Sequence, residues 1–144
     1  MPNAPAGAAL TRASTLYTTA AAIPASVWPW PNFRPAEIAC KGSGSLLLVP
    51  AALDALQALR TRLGRPLVIV SGYRSPAYNR RVGGAPKSKH MDGTAFDIAC
   101  VQADQPALIA AAKAVGFLGI GRYDTWVHVD LGPARSWDER TREA

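Results

Sequence analysis

Two short stretches limit the fold most, because each alternates strictly and each gathers its polar groups on one side. In residues 95–100 an extended chain sends Ala95, Asp97 and Ala99 to one face and Phe96, Ile98 and Cys100 to the other. In residues 126–131 His128 and Asp130 share a face, while Val127 and Val129 point the opposite way. Both stretches read as strands with an apolar face to bury and a second face kept for polar chemistry. The chain has only two histidines, His90 just ahead of the first stretch and His128 within the second. A sheet that sets these strands side by side brings His90, Asp97 and His128 to one point. Two imidazoles and a carboxylate suit Zn²⁺, whose catalytic sites use three N or O protein ligands and keep one position for water. The blander reading, two ordinary surface or core histidines, fits less well because both stand beside carboxylates expected to face inward.

Residues 50–63 form the clearest helix. Pro50 suits its start, Leu53, Leu56, Leu59 and Leu63 recur at three- and four-residue steps, and Gly64 supplies the stop. That stripe is core. Pro66 separates it from residues 67–71, an apolar and β-branched run that suits a buried strand. The turn over residues 72–76 leads into a short helix with Ser75 as N-cap and Pro76 in the first helical position. Arg74 therefore stands at the end of a core strand, where a side chain is aimed rigidly. Residues 82–89 lack periodicity and form the loop that delivers His90. Asp104 is expected to cap a helix over residues 106–115, buried through Leu108, Ile109, Ala112 and Val115 and ended by Gly116. Residues 117–122 and 126–131 complete a strand pair around a turn holding Asp124 and Thr125. Upstream, a short helical turn opens at Pro35 and residues 42–45 form a loop. Trp28, Trp30 and Phe33, set among prolines, carry apolar area expected to pack against the domain. The expected organisation is a lead-in over residues 1–30, partly mobile or draped, one α+β domain over residues 31–137, and a charged, frayed tail over residues 138–144. The domain is a small, mainly antiparallel sheet with helices packed on it.

A chain of 144 residues has room for one proper core, and 49% hydrophobic residues exclude a disordered chain. Its formal charge of +6 attracts polyanions, of which nucleic acid and an anionic bacterial cell wall are two. Arg60, Arg62, Arg65, Arg74, Arg80, Arg81 and Arg122 are scattered, without aromatic interleaving or a single basic helix, so no nucleic-acid partner is expected. Cys40 and Cys100 are too few for a disulfide framework. One bridge between them or two buried thiols both remain open, and either role is structural. No apolar run approaches the roughly 20 residues that span a bilayer. The N-terminal stretch lacks the charge pattern and apolar core of a secretory signal. The expectation is a chain that is cytoplasmic until something releases it to the cell wall or periplasm, or one that travels with a virion. The glycines of residues 42–44 and 83–84 do not form phosphate loops, since neither precedes a helix with a suitably placed lysine.

Three segments together carry a family likeness. Ser71-Gly72-Tyr73-Arg74-Ser75, then Ser88-x-His90-x-x-Gly93-x-Ala95-x-Asp97, then Val127-His128-Val129-Asp130 resemble the zinc metallopeptidases of the D-Ala-D-Ala carboxypeptidase type, which share the fold of the hedgehog signalling domain. The likeness covers residues 33–137. It implies a zinc enzyme that hydrolyses amide bonds in peptidoglycan stem peptides, with His90, Asp97 and His128 as metal ligands. Arg74 would contact substrate, its permanently charged fork suited to a carboxylate or a developing oxyanion. Ser88 would support the loop that presents His90, a role metal sites commonly need, and with Tyr73 would border the substrate. Tyr73, Tyr78 and Trp126 are candidates for the cleft wall, with core packing the commoner fate. A metal-activated water needs a base. Several branches of the family place an acid three residues before the last histidine, or a further histidine nearby; here that position is Thr125 and no third histidine exists. Asp124 is the first candidate for the base and Asp130 the second, with orienting His128 as its other role. The setting implied is phage or prophage lysis by a monomer that needs a separate membrane-permeabilising protein. The rival reading is a zinc-bearing wall-binding or virion module that hydrolyses nothing. Terminal D-Ala-D-Ala, internal L-Ala-D-Glu and cross-link bonds all remain open as the bond cut.

Overall fold

The computed structural model describes residues 12–141. In chain order these form β1 (Thr15–Tyr17), α1 (Pro35–Ile38), β2 (Leu46–Leu48), α2 (Pro50–Leu63), β3 (Ile69–Ser71), α3 (Pro76–Arg81), β4 (Ala95–Ala99), α4 (Gln105–Ala114), β5 (Gly119–Arg122), β6 (Trp126–Asp130) and β7 (Arg135–Asp138). β1 and β2 make a separate antiparallel ribbon. The main sheet has the order β3-β4-β6-β5-β7 and is antiparallel except at its last pair, where β7 runs parallel to β5. The architecture is the expected α+β one with a mainly antiparallel sheet.

α2 has the predicted bounds. Pro50 occupies its first turn, and Gly64 ends it at φ 68°, a left-handed conformation that costs glycine little. Leu53, Leu56 and Leu59 are buried, together with Ala52 and Ala55. α3 is capped as expected, the Ser75 hydroxyl accepting the Tyr78 N–H at 3.2 Å. α4 corrects an expectation, because Asp104 precedes it in helical backbone at the end of a 3-10 turn (Gln102–Asp104) and makes no side-chain cap. The Asp104 carboxylate faces Arg65 instead, at 3.9 Å. Buried Gln105 ties this end of the helix down, donating to the carbonyls of Cys100 and Tyr123 and accepting from Arg122 Nε.

The alternation of the two central strands separates core from chemistry. Phe96, Ile98, Ile120, Val127 and Val129 pack on one face against Leu53, Leu56 and Leu59 of α2 and Leu108, Ala111 and Ala112 of α4. Phe117 meets Phe96 edge-on, ring centroids 6.1 Å apart, an arrangement aromatic pairs favour. On the opposite face the register pairs Asp97 with Ser71 and His128, His128 with Gly121, and Gly121 with Trp137. One row of side chains therefore crosses all five strands, because directly paired residues share a face. The next row pairs Ala95 with Asp130, Asp130 with Gly119 and Gly119 with Arg135.

Both ends of the described chain carry hydrogen-bonded structure. The lead-in is draped from residue 12 through β1 and two 3-10 turns, Ala20–Ala22 and Ala25–Val27. Trp30 and Phe33 are buried in the core, and the Trp28 and Trp30 indoles donate to the Phe33 carbonyl (2.8 Å) and to Asp54 (2.9 Å). The tail expected to fray from residue 138 begins inside β7. Glu139 N–H then bonds the Arg122 carbonyl, and Thr141 bonds Asp124. The mobility expected within residues 1–11, and fraying beyond 141, fall outside the described residues. Cys40 and Cys100 are free thiols, so no bridge joins them.

Candidate metal centre

Local rules of strand and turn bring the three proposed ligands together. Asp97 and His128 are direct partners across β4 and β6, so their side chains leave the sheet side by side. His90 arrives from the loop after α3, which is closed by a turn at Gly93 (φ 73°), and the Arg74 N–H to His90 carbonyl bond pins it to the end of β3. His90, Asp97 and His128 are all buried, and one ligand atom from each lies within 4.8 Å of the others. His90 Nε2 stands 3.2 Å and His128 Nδ1 2.9 Å from Asp97 Oδ1.

Outer partners decide which nitrogen of each ring is free. His90 Nδ1 lies 2.7 Å from the Gly72 carbonyl, which can only accept, so the proton sits on Nδ1 and the lone pair on Nε2. His128 Nε2 lies 2.7 Å from Asp130, an ionised acceptor, so there the lone pair is on Nδ1. Two imidazole lone pairs and a carboxylate oxygen thus converge, an arrangement that repels itself unless a cation stands between them. A proton on a facing ring nitrogen relieves the same repulsion. Burial pushes the Asp97 carboxyl up, but hydrogen bonds from His128 and His90 outweigh it and hold it well below the usual carboxylate range. Burial pulls His128 down, but hydrogen bonds to Asp130 and Asp97 and their charges raise it above the ordinary histidine value. Bonds of about 2.0–2.1 Å at tetrahedral angles put ligand atoms about 3.3 Å apart. The observed 2.9 and 3.2 Å need only a slight spread, and the N₂O donor set fits zinc.

Arg74 stands beside this group. Its fork donates to Ser71 Oγ (3.2 Å), Asn79 Oδ1 (3.3 Å) and Asp97 Oδ2 (3.4 Å), so it steadies the outer oxygen of one ligand while facing the opening. Buried Asn79 is itself held by the Ala85 carbonyl, and Gly84 is bare because a Cβ there would strike Asn79. Over the trio lies a cavity of about 330 Å³, walled by the 83–89 loop, by Arg74 and Arg135, and by Tyr123, Trp126 and Trp137. A second hollow of about 240 Å³ shares Arg74, Asp97 and Trp126 with it and adds Lys41, Val70, Tyr78 and Val82. Arg74, Asp97 and Trp126 therefore stand between the two hollows.

The remaining sequence candidates divide. Ser88 lines the cavity and its hydroxyl accepts the His90 N–H at 3.2 Å. Trp126 borders both hollows and Tyr78 the second, so both are wall residues. Tyr73 is not, because it is buried, its backbone N–H bound to the Ile38 carbonyl, and borders neither hollow. The structure does not bring Asp124 to this centre. Its exposed carboxylate accepts the Thr141 N–H and hydroxyl, both at 2.7 Å, and it does not line the cavity. Asp130 is wholly buried, engaged by His128, Arg135 and Gly132, and does not line the cavity.

Sequence reasoning missed Asn79, Arg135 and Trp137. A signal for the last two was present in Gly119-Ile120-Gly121, where the glycines fall on the polar face of β5 and the isoleucine on the core face. A Cβ on Gly121 would collide with the Trp137 indole, and one on Gly119 with Asp130 and Arg135. The bare backbone lets Trp137 reach His128, ring centroids 5.1 Å apart, and lets Arg135 reach Asp130.

Comparison with known proteins agrees with this geometry. The family profile described as Peptidase M15 matches residues 31–130. The zinc D-Ala-D-Ala carboxypeptidase of Streptomyces albus G is 39% identical over 88 residues, 57% of this chain and 34% of that protein. The peptidoglycan L,D-endopeptidase MepK of Escherichia coli K12 is 35% identical over 97 residues, 61% of this chain and 53% of that protein. The probable peptidoglycan L,D-endopeptidase MepK of Haemophilus influenzae is 33% identical over 89 residues, 55% and 48% of the two chains. The chain thus spans about a third to a half of the length of these curated relatives. The profile covers more than half of this chain and takes in all three converging ligands, so the chain belongs to the peptidase M15 family.

Proposed function

We propose that the chain is a zinc-dependent peptidase that hydrolyses amide bonds in peptidoglycan stem peptides. The observation that carries this is the convergence of two imidazole lone pairs and one carboxylate oxygen at the floor of an open cavity. The names of its relatives, a zinc carboxypeptidase and peptidoglycan endopeptidases, support the same chemistry. Family membership also supports the fold of the hedgehog signalling domain, and phage-driven lysis is the setting this reading implies.

His90 Nε2, Asp97 and His128 Nδ1 would hold zinc, which would supply the Lewis acidity that polarises a scissile carbonyl and activates water. The chain's own residues arrange the rest. Arg74, permanently charged and braced by Ser71 and Asn79, holds a substrate carboxylate or the oxygen on which charge develops. Lys87, Lys89 and Arg135 add positive charge around the cavity, and Lys41 does so at the second hollow, which suits an anionic peptide lying across both. Among the described residues Asp97 is the only carboxylate in the cavity lining, so proton movement falls to other groups. Tyr123 Oη accepts the Trp137 Nε1–H at 2.8 Å, and its ring stacks on Trp126 at 4.5 Å. That leaves its O–H free to donate toward a leaving amine.

Mass spectrometry of a defined muropeptide treated with zinc-loaded protein tests the proposal and identifies the bond. Loss of terminal D-alanine marks a carboxypeptidase, and internal fragments mark an endopeptidase. Intact muropeptide with zinc bound would favour the rival, a metal-bearing wall-binding module.

A further inference from the structure

We propose that Arg135, on the edge strand β7, is a positioning residue that sets the affinity of the metal centre through Asp130 and His128. The inference rests on the zinc reading above and goes beyond it, because Arg135 touches no ligand atom and lies past the end of the family match at residue 130.

Asp130 is wholly buried, and a buried carboxylate is costly unless every lone pair is answered. Four donors answer it here. His128 Nε2 lies 2.7 Å from Oδ2 and Gly132 N 2.8 Å from Oδ1. Arg135 closes the set with a two-pronged contact, Nη2 to Oδ2 at 2.7 Å and Nη1 to Oδ1 at 2.9 Å. Such a fork fixes the plane of a carboxylate as well as its position. The plane of Asp130 in turn fixes the direction of the His128 Nε2–H bond, and thereby where the Nδ1 lone pair points on the far side of the ring.

The surrounding strand is shaped for this contact. β7 joins β5 in parallel with Gly119 paired to Arg135, and a Cβ at Gly119 would collide with Asp130 and with the guanidinium. The Arg135 guanidinium also lies over the Trp137 ring, 5.2 Å from its centroid, and that ring neighbours His128. Rim arginines commonly make surface pairs of little consequence. Arg135 differs because its partner is fully desolvated and is hydrogen-bonded to a ligand.

The test is zinc affinity of the folded protein by competition with a chromophoric chelator, for wild type, Arg135→Met, Arg135→Lys, Asp130→Asn and Arg135→Met with Asp130→Asn. Folding of each metal-free variant is checked by circular dichroism. Loss of an outer partner typically weakens metal binding about 10–100-fold, and that is the loss expected for Arg135→Met, with partial recovery in Arg135→Lys. Because Arg135 acts through Asp130, adding Arg135→Met to Asp130→Asn should change affinity less than about threefold, a non-additivity that a merely structural role does not produce. A folded Arg135→Met with wild-type affinity, or losses that add in the double variant, overturns the inference while leaving the zinc site standing. A wild type that binds no zinc refutes the metal reading itself.

Discussion

At the scale of single residues, the sequence exposed the converging His90, Asp97 and His128 group but not the proton chemistry. His90, Asp97 and His128 were legible because a metal needs particular atoms, few residues supply them, and strand alternation says which face they take. Asp124 was misleading for the opposite reason, since sequence proximity to His128 says nothing about which way a turn points. Its carboxylate faces Thr141. Asp124→Ala should therefore leave muropeptide hydrolysis within about threefold of wild type, whereas loss of a general base typically costs about 10²–10⁴-fold. A steady-state assay separates the two outcomes. Hydrogen bonds from the Thr141 hydroxyl and N–H hold the Asp124 carboxyl below its ordinary value. A group lowered on folding stabilises above its unfolded pKa, about 3.9 for Asp, and that contribution is lost as pH falls through the lowered value. Hydrogen exchange should show the Thr141 amide protected above about pH 4 and released in stronger acid. A Thr141 amide unprotected at neutral pH would contradict the clasp.

At the scale of elements, what could be read was what local chemistry dictates. α2 was legible from Pro50, its leucine stripe and Gly64, and α3 from Ser75-Pro76. β7 was not, because Arg135-Ser136-Trp137-Asp138 has no apolar alternation and its pairing with β5 is a long-range event. β2 was hidden in an apolar run ahead of Pro50, where nothing marks a strand apart from the start of the helix. The glycines of β5 yield a prediction at this scale. Gly121→Ala places a methyl group against the Trp137 indole, and overpacking of this kind costs about 1–3 kcal/mol. The variant should lower the thermal midpoint and shift tryptophan emission, as Trp137 moves off His128. An unchanged midpoint and spectrum would mean that β7 does not depend on a bare β5.

At the scale of the whole molecule, the sheet divides the labour: one face is sealed by α2 and α4, and the other carries the converging His-Asp-His group, Arg74 and the aromatic wall. Ordering of the ligands is coupled to stability, since a metal bound only by the folded state stabilises by mass action, about 2.7 kcal/mol at free metal 100 times Kd. Chelation should lower the unfolding midpoint and zinc should restore it, whereas magnesium, which prefers an all-oxygen set, should not. The charge of +6 adds that retention on purified cell wall should weaken between low and high salt as surface charges are screened. The central claim is that His90, Asp97 and His128 hold one zinc that drives amide hydrolysis, and the most direct test is titration of chelated protein with zinc while peptide-bond cleavage in purified peptidoglycan is followed. The account predicts activity rising to a plateau at one equivalent in wild type and absent in His128→Ala; cleavage that persists without metal, or none with one zinc bound, would contradict it.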